Sequence, residues 1–228
     1  MLQPTCITFG SDALRAPLSV RRREKPRRTE KLYLHELEGK TATCERAGVI
    51  LYTVEEGEIY YGLGLDSEYL ELTDFAGSVS RKDRDAVEAA LREFREETLD
   101  IFGELPRERS LRATALWDGK NLVLLVRCLS SRSLVSALFR ARCSLAKKPE
   151  VKEILWFSAG ELSRLLQSDQ ELRCKQRGFS REERRDLELP SRDSRLPCGY
   201  GMYRRVRDFL KGNEDLTPLD ISTPEVWA

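Results

Sequence analysis

Three glutamates set the question. Glu93, Glu96 and Glu97 fall at spacing i, i+3, i+4 within DAVEAALREFREETL, residues 85–99. On a helix such positions lie over one another on one side, so the three carboxylates converge over one turn. Unpaired, they repel each other. Nearby arginines could neutralise them, and Arg92 and Arg95 are at hand. So could a bound ion, and hard divalent cations with oxygen ligands suit such a cluster. The plain alternative is a solvated face of a Glu-rich amphipathic helix.

The helix needs a base to sit on. At about 100° per residue, Val87, Ala90, Leu91 and Phe94 share one narrow apolar face, which predicts a helix over 84–99 packed on a core. Before it, AGVILYTV (47–54) and EIYYGLGL (58–65) flank the turn EEGE and read as a β-hairpin. YLELTDFAG (69–77) reads as a short strand ending in glycine. After the helix, 111–129 reads as strand, Asp118-Gly119 turn, strand. Helix is expected over 130–142, strand over 151–158, and helix over 159–167, 180–188 and 199–211. The tail after Lys211 is expected to be ordered only by docking. Interspersed helices and strands place the chain in the α/β (α+β) class.

Composition narrows the chemistry further. The 228 residues contain one histidine, His35, so a three-histidine metal site cannot be built within one chain. Six cysteines are scattered without a CxxC pair, so zinc-ligand spacing is absent. The opening MLQPTCITFG has neither the charged nor the apolar region of a secretory signal, and a reducing compartment is expected. No stretch reaches the roughly 18 apolar residues of a membrane span.

Net charge is +1, but it is unevenly distributed. Residues 1–46 hold 10 basic against 6 acidic residues, 47–170 hold 17 against 21, and 171–211 hold 12 against 7. The run from Arg15 to Lys31 is strongly basic, contains Pro17 and Pro26, and reads as an arm or extended segment. An acidic centre between basic flanks suits a long phosphate chain, although a solvated surface or a nuclear-localisation-like run at 21–28 would look the same.

The flanks of the glutamates carry a resemblance. Gly77, five residues, Asp83, eight residues, then Arg92-Glu93-Phe94-Arg95-Glu96-Glu97 resembles the Nudix box. That pattern is Gly, five residues, Glu, seven residues, then Arg-Glu-apolar-x-Glu-Glu-x-Gly-apolar. The Arg-Glu-apolar-x-Glu-Glu core matches in full, and LTDFAG is similar to the family's approach to its box. The chain departs from the pattern at four places. The first acid is Asp83, one extra residue precedes Arg92, and Ala76-Gly77 replaces paired glycines. Leu99 stands where a glycine would end the helix, which puts the left-handed stop in doubt.

A second block, EVKEILWFSAGELSRLL (150–166), is similar to the segment closing a Nudix domain. In mRNA-decapping members a glutamate six residues before the strand's tryptophan is the general-base candidate. Here that is Glu150, six before Trp156, with Glu153 as a competitor and a solvated position after Lys147-Lys148-Pro149 as the plain alternative. The box also resembles that of Nudix proteins from large DNA viruses.

The resemblance implies a mixed β-sheet sandwiched between helices over 47–170, with a basic N-terminal arm (1–46) and a helical C-terminal extension (171–228). It implies Mg2+ or Mn2+ held by Glu93, Glu96 and Glu97, and catalysis by Glu150, Glu96 and Glu97 with Arg92 orienting the glutamates. The expected reaction is pyrophosphate hydrolysis, with mRNA decapping and release of m7GDP as the first reading. Free dinucleoside polyphosphates or nucleoside diphosphate sugars are the alternative. A non-catalytic binding fold is a third, weakened because such proteins usually lose glutamates that are all present here. The partner is then capped RNA or a nucleotide, with RNA contact by the basic flanks, no membrane and no obligate protein partner. The location is cytoplasmic, the host cytoplasm for a viral protein. Gly77 and Tyr61 are the substrate-contact candidates, from an aromatic set that also includes Tyr60, Phe75, Trp117, Tyr200 and Tyr203. Each of these also fits as core bulk.

Overall fold

A computed structural model describes residues 28–37, 39–107, 112–167, 200–213, 215–220 and 225–228. The expected helix at 180–188 and most of the basic arm lie outside the described residues.

The predicted hairpin is the centre of the molecule. β2 (Arg46–Glu55) pairs antiparallel with β3 (Glu58–Asp66) across a two-residue turn. Glu56 and Gly57 both take positive φ, 53° and 82°, the turn whose twist matches that of the flanking strands. β2 is flanked on both sides. One edge takes β7 (Asn121–Cys128) in parallel over Arg46–Tyr52. The other is shared by β3 and by β5 (Phe75–Ser78), which pairs with Arg46–Val49. A strand buried on both faces needs an apolar run, and Ala47–Tyr52 supplies one.

β1 (Glu30–Tyr33) and β6 (Thr114–Trp117) extend the sheet beyond β7, so Glu30 and Lys31 at the end of the basic run are strand residues. β4 (Leu72–Thr73) and β8 (Val151–Ser158) extend it beyond β3, and β9 (Glu225–Val226) docks parallel to the end of β7. The fold is α+β: among the described residues, a mixed sheet of nine strands with helices on both faces. Alternation along β2 divides the core. Ala47, Val49 and Leu51 pack with α1 (Ala86–Glu97) and α2 (Arg132–Leu145). Ile50 and Tyr52 pack on the other face with α3 (Ala159–Gln167) and α4 (Arg204–Lys211). None of the described helices is long and apolar enough to cross a membrane.

Local signals place several boundaries. Asp85 caps α1 by accepting from the amides of Val87 and Glu88, each at 3.0 Å. Ser158 and Glu161 form a reciprocal capping box before α3: the Ser158 amide donates to Glu161 Oε2 at 2.8 Å, and the Glu161 amide donates to Ser158 Oγ at 3.3 Å.

Three expectations are corrected by tertiary contacts. The run 69–77 is not one strand. Asp74 interrupts it and turns inward, so β4 stays with β3 while β5 crosses to β2. The expected helix at 199–211 begins only at Arg204. Residues 201–203 instead run beside β4, with Leu72 N donating to Gly201 O at 2.7 Å and Tyr203 N to Leu72 O at 2.8 Å. The left-handed stop of α1 survives the loss of glycine. Leu99 takes φ 55° and Asp100 φ 58°. Asp100 N donates to Arg95 O and Leu99 N to Glu96 O, the bond pair of a Schellman motif. The cost of about 1–2 kcal/mol for a non-glycine residue in this region is offset by the packing of Leu99 against the core.

Candidate active site

Arg92 organises the carboxylates around α1. Its Nε and Nη2 donate to the two oxygens of Asp83 at 2.8 and 3.0 Å, a bidentate pair. Its Nη1 donates to Glu93 Oε1 at 2.7 Å and to Glu96 Oε2 at 3.2 Å. Asp83, the acid at the first position of the altered motif, is thus the anchor of Arg92. It is held further by the Ser80 amide at 2.7 Å. The hydrogen bonds from Arg92 hold its carboxyl down at about 2, against an opposing push from burial. One extra residue before Arg92 and a side chain one carbon shorter are accommodated together in this loop.

Glu93 lies against β5. A Cβ at Gly77 would overlap the Glu93 carboxylate, so any side chain there would force Glu93 to move. The Gly77 backbone takes no left-handed conformation, so the space it leaves, and not a turn, is what the glycine contributes here. Gly77→Ala is therefore expected to displace Glu93 and lower activity about as much as loss of a catalytic group, roughly 10²–10⁴-fold. Circular dichroism and thermal unfolding should show the fold retained. Activity near wild type would show that Glu93 can be moved without consequence.

Glu97 is the buried member of the triplet. Its Oε2 is shielded from solvent and has no hydrogen-bond partner. Burial pushes its carboxyl up to about 9, helped by the charges of Asp74, Glu150 and Glu93 and opposed by Arg46. Glu96 is the exposed member, its side chain 57% accessible. The three carboxylates therefore do not converge as helix spacing alone predicts. Glu93 and Glu96 are drawn to Arg92, while Glu97 turns into the interior. Among the described residues no three His, Cys, Asp or Glu groups are clustered closely enough to hold an ion as they stand. The donor set still fits a hard divalent cation. It is all carboxylate, and Glu97 offers a buried oxygen that nothing in the protein satisfies.

Beneath Glu97 lies an ion pair that motif reading missed. Arg46, at the start of β2, donates through both terminal nitrogens to Asp74 at 2.8 and 2.5 Å. Asp74 is fully buried and Arg46 nearly so. Arginine ending the basic segment and aspartate in LTDFAG are visible in the sequence, but nothing there links them.

Glu150 and Glu153 part company. Glu150 is exposed just before β8, its carbonyl accepts from Ser67 N at 2.7 Å, and its charge reaches Glu97. Glu153 instead sits 3.8 Å from Arg140 of α2. Of the two, Glu150 is the one coupled to the glutamate site.

A cleft of about 490 Å³ opens over Glu97, lined by Gly77, Arg46, Tyr69, Tyr203 and Arg205 among others. Tyr203 was among the aromatic candidates, whereas Tyr69 and Arg205 were not singled out. Tyr61 is not at this cleft. It sits on the sheet face opposite α1, 2% exposed, in the cluster with Tyr52 and Leu63. It borders a separate hollow against α3 and α4. Strand parity explains this: residues 61, 63 and 65 of β3 share one face, and the glutamate helix covers the other. Phe75 and Trp117 are buried core, and Tyr60 carries the Arg132 guanidinium 3.4 Å above its ring. The lone histidine stacks on Tyr33 at 5.6 Å, in the N-terminal segment.

No family model matches the chain, and no curated protein matches it. Among solved structures it is similar to a crystal structure of C. elegans Ap4A hydrolase, with 18% identity over 53% of this chain and 83% of that one, at a TM-score of 0.33. It is also similar to a C. elegans Ap4A hydrolase binary complex, with 17% identity over 52% of this chain and 82% of that one, at a TM-score of 0.34.

Proposed function

We propose that the chain is a divalent-cation-dependent pyrophosphohydrolase of the Nudix type, acting on a nucleoside polyphosphate, with capped RNA as the substrate. One observation carries the hydrolase reading. Glu97 presents a buried, unpartnered carboxylate oxygen at a cleft, within reach of the charges of Glu93 and Glu150.

Glu93, Glu96 and Glu97 would hold Mg2+ or Mn2+, and an ion there neutralises phosphate charge and lowers the pKa of a water. The chain's own residues do the rest. Arg92, braced by Asp83, fixes where the Glu93 and Glu96 carboxylates lie. Gly77 leaves the space that Glu93 occupies. Glu150 accepts the proton of the water that attacks phosphorus, and its exposure at the start of β8 keeps it open to solvent. Arg205, half-exposed at the cleft, supplies positive charge for the phosphates. Water adds to one phosphorus, the diphosphate P–O bond breaks, and m7GDP leaves from 5′-monophosphate RNA.

Capped RNA is favoured over a free nucleotide by the spacing of Glu150 from Trp156 together with its coupling to Glu97. Incubation of cap-labelled RNA with Mg2+ or Mn2+ should release m7GDP, and excess uncapped RNA should inhibit. Turnover of free dinucleoside polyphosphates with no m7GDP release would replace capped RNA by the alternative substrate. No turnover of either would leave a binding protein.

A further inference from the structure

The C-terminal segment does more than cover the sheet. Residues 201–203 are held along β4 by backbone bonds on both sides of Leu72, and α4 is anchored by the buried side chains of Val206, Phe209 and Leu210. That fixes Tyr203 and Arg205 at the cleft over Glu97. Tyr203 and Arg46 line the same cleft. Arg205 is steadied at 3.0 Å by Asn121 Oδ1, from the start of β7, and 3.9 Å from Glu45.

The opposite contribution comes from the loop between β3 and β4. Asp66 Oδ1 accepts from the amides of Glu68 and Tyr69 at 2.9 and 2.5 Å, and Ser67 N is tied to the Glu150 carbonyl. Leu70 is held at φ 57°, a conformation a leucine adopts only when its surroundings impose it. This loop presents Tyr69, 44% exposed, to the same cleft. Among the described residues, Tyr69 and Tyr203 are the two aromatic rings that line it. Its volume of about 490 Å³ lies in the range of small-ligand sites.

We propose that Tyr69 and Tyr203 hold the base of the substrate nucleotide by stacking, and that Arg205 engages its phosphates. Recognition is then built from a loop and a C-terminal segment far apart in sequence, while the glutamates of α1 serve the chemistry. The inference rests on the pyrophosphohydrolase reading for its ligand class. The shared chemistry is a planar base on a phosphate chain, which a methylated guanine cap or an adenine of a dinucleoside polyphosphate would both supply. A cationic methylated guanine gains additionally from the electron-rich rings.

The test measures binding of m7GDP and of ADP to the full chain by calorimetry in metal-free buffer, followed by KM and kcat on capped RNA and on diadenosine tetraphosphate. Tyr69→Leu and Tyr203→Leu should each weaken nucleotide binding about 5- to 150-fold, the range for losing one stacked base. They should raise KM more than they change kcat. Tyr69→Phe and Tyr203→Phe keep the ring and should restore binding. Arg205→Ala should weaken binding and flatten its salt dependence. The stronger of the two ligands identifies the base. Tyr69 is on an exposed loop, so its variants remain informative if Tyr203→Leu fails to fold. Leucine variants that bind both nucleotides like wild type, in a chain that hydrolyses either substrate, overturn the inference alone. A wild-type chain that neither binds nor hydrolyses any of them overturns the functional reading with it. Truncation before residue 200 is unsuitable, because it would strip buried core side chains along with the tyrosine.

Discussion

Glu97→Gln is expected to lower turnover by at least about 10²–10⁴-fold while the chain stays folded. The substitution keeps the shape of the side chain and removes its charge. Oε2 is buried without a partner, so no hydrogen bond that holds the fold is lost at that atom. Stability should respond in the opposite direction to activity. In metal-free buffer the folded Glu97 carboxyl titrates at about 9, against an ordinary value near 4.5. Between those values the folded chain keeps a proton that the unfolded chain has lost. The contribution of Glu97 to stability is therefore full below pH 4.5 and is lost as the pH rises through about 9. Thermal unfolding in chelator from pH 5 to 9 should show a decline in wild type that is shallower in Glu97→Gln. Added Mg2+ or Mn2+ should raise the wild-type midpoint more than that of the variant, because an ion that binds only the folded chain stabilises it by mass action. Wild-type turnover in the variant would remove Glu97 from the site.

The second large effect is structural. Asp74→Ala should destabilise the chain by about 3–5 kcal/mol, the usual result of leaving one buried charge without its partner. Asp74 is 0% exposed and takes both terminal nitrogens of Arg46. The double variant Arg46→Met with Asp74→Leu should recover much of the loss, since apolar replacements of a buried pair are often neutral or better. Chemical denaturation measures both. A loss below about 1 kcal/mol in Asp74→Ala, as for an exposed pair, would mean that water reaches the pair.

Much of this was legible where neighbours in sequence decide the outcome. The hairpin turn within EEGE and the placement of β8 and α3 rest on contacts within a few residues. Steric and hydrogen-bonding preferences at that range are carried by the residue types themselves. The spacing of Glu93, Glu96 and Glu97 belongs to the same class, because helix geometry puts their backbones on adjacent turns whatever surrounds them.

Where those side chains point was a different matter. Arg92 takes Glu93 and Glu96 while Glu97 goes inward, and a glycine on β5 leaves the room for Glu93. Tyr61 shows the same limit: alternation puts 61, 63 and 65 on one face, but only packing selects which face α1 covers. Leu99 adopts a backbone conformation it disfavours alone, because the closing bonds and core contacts of the whole domain outweigh that local preference. Arg46 and Asp74, 28 residues apart, and Tyr203 beside Leu72, meet only when strands are paired. The sequence by itself determined the central hairpin, the glutamate helix, the closing strand and helix, and the class of fold, since these follow from short-range periodicity and residue type. Only the tertiary structure decided which carboxylate is buried, which glutamate of β8 and its approach is coupled to it, and which rings line the cleft. Those depend on contacts between distant segments, whose energies no local pattern contains.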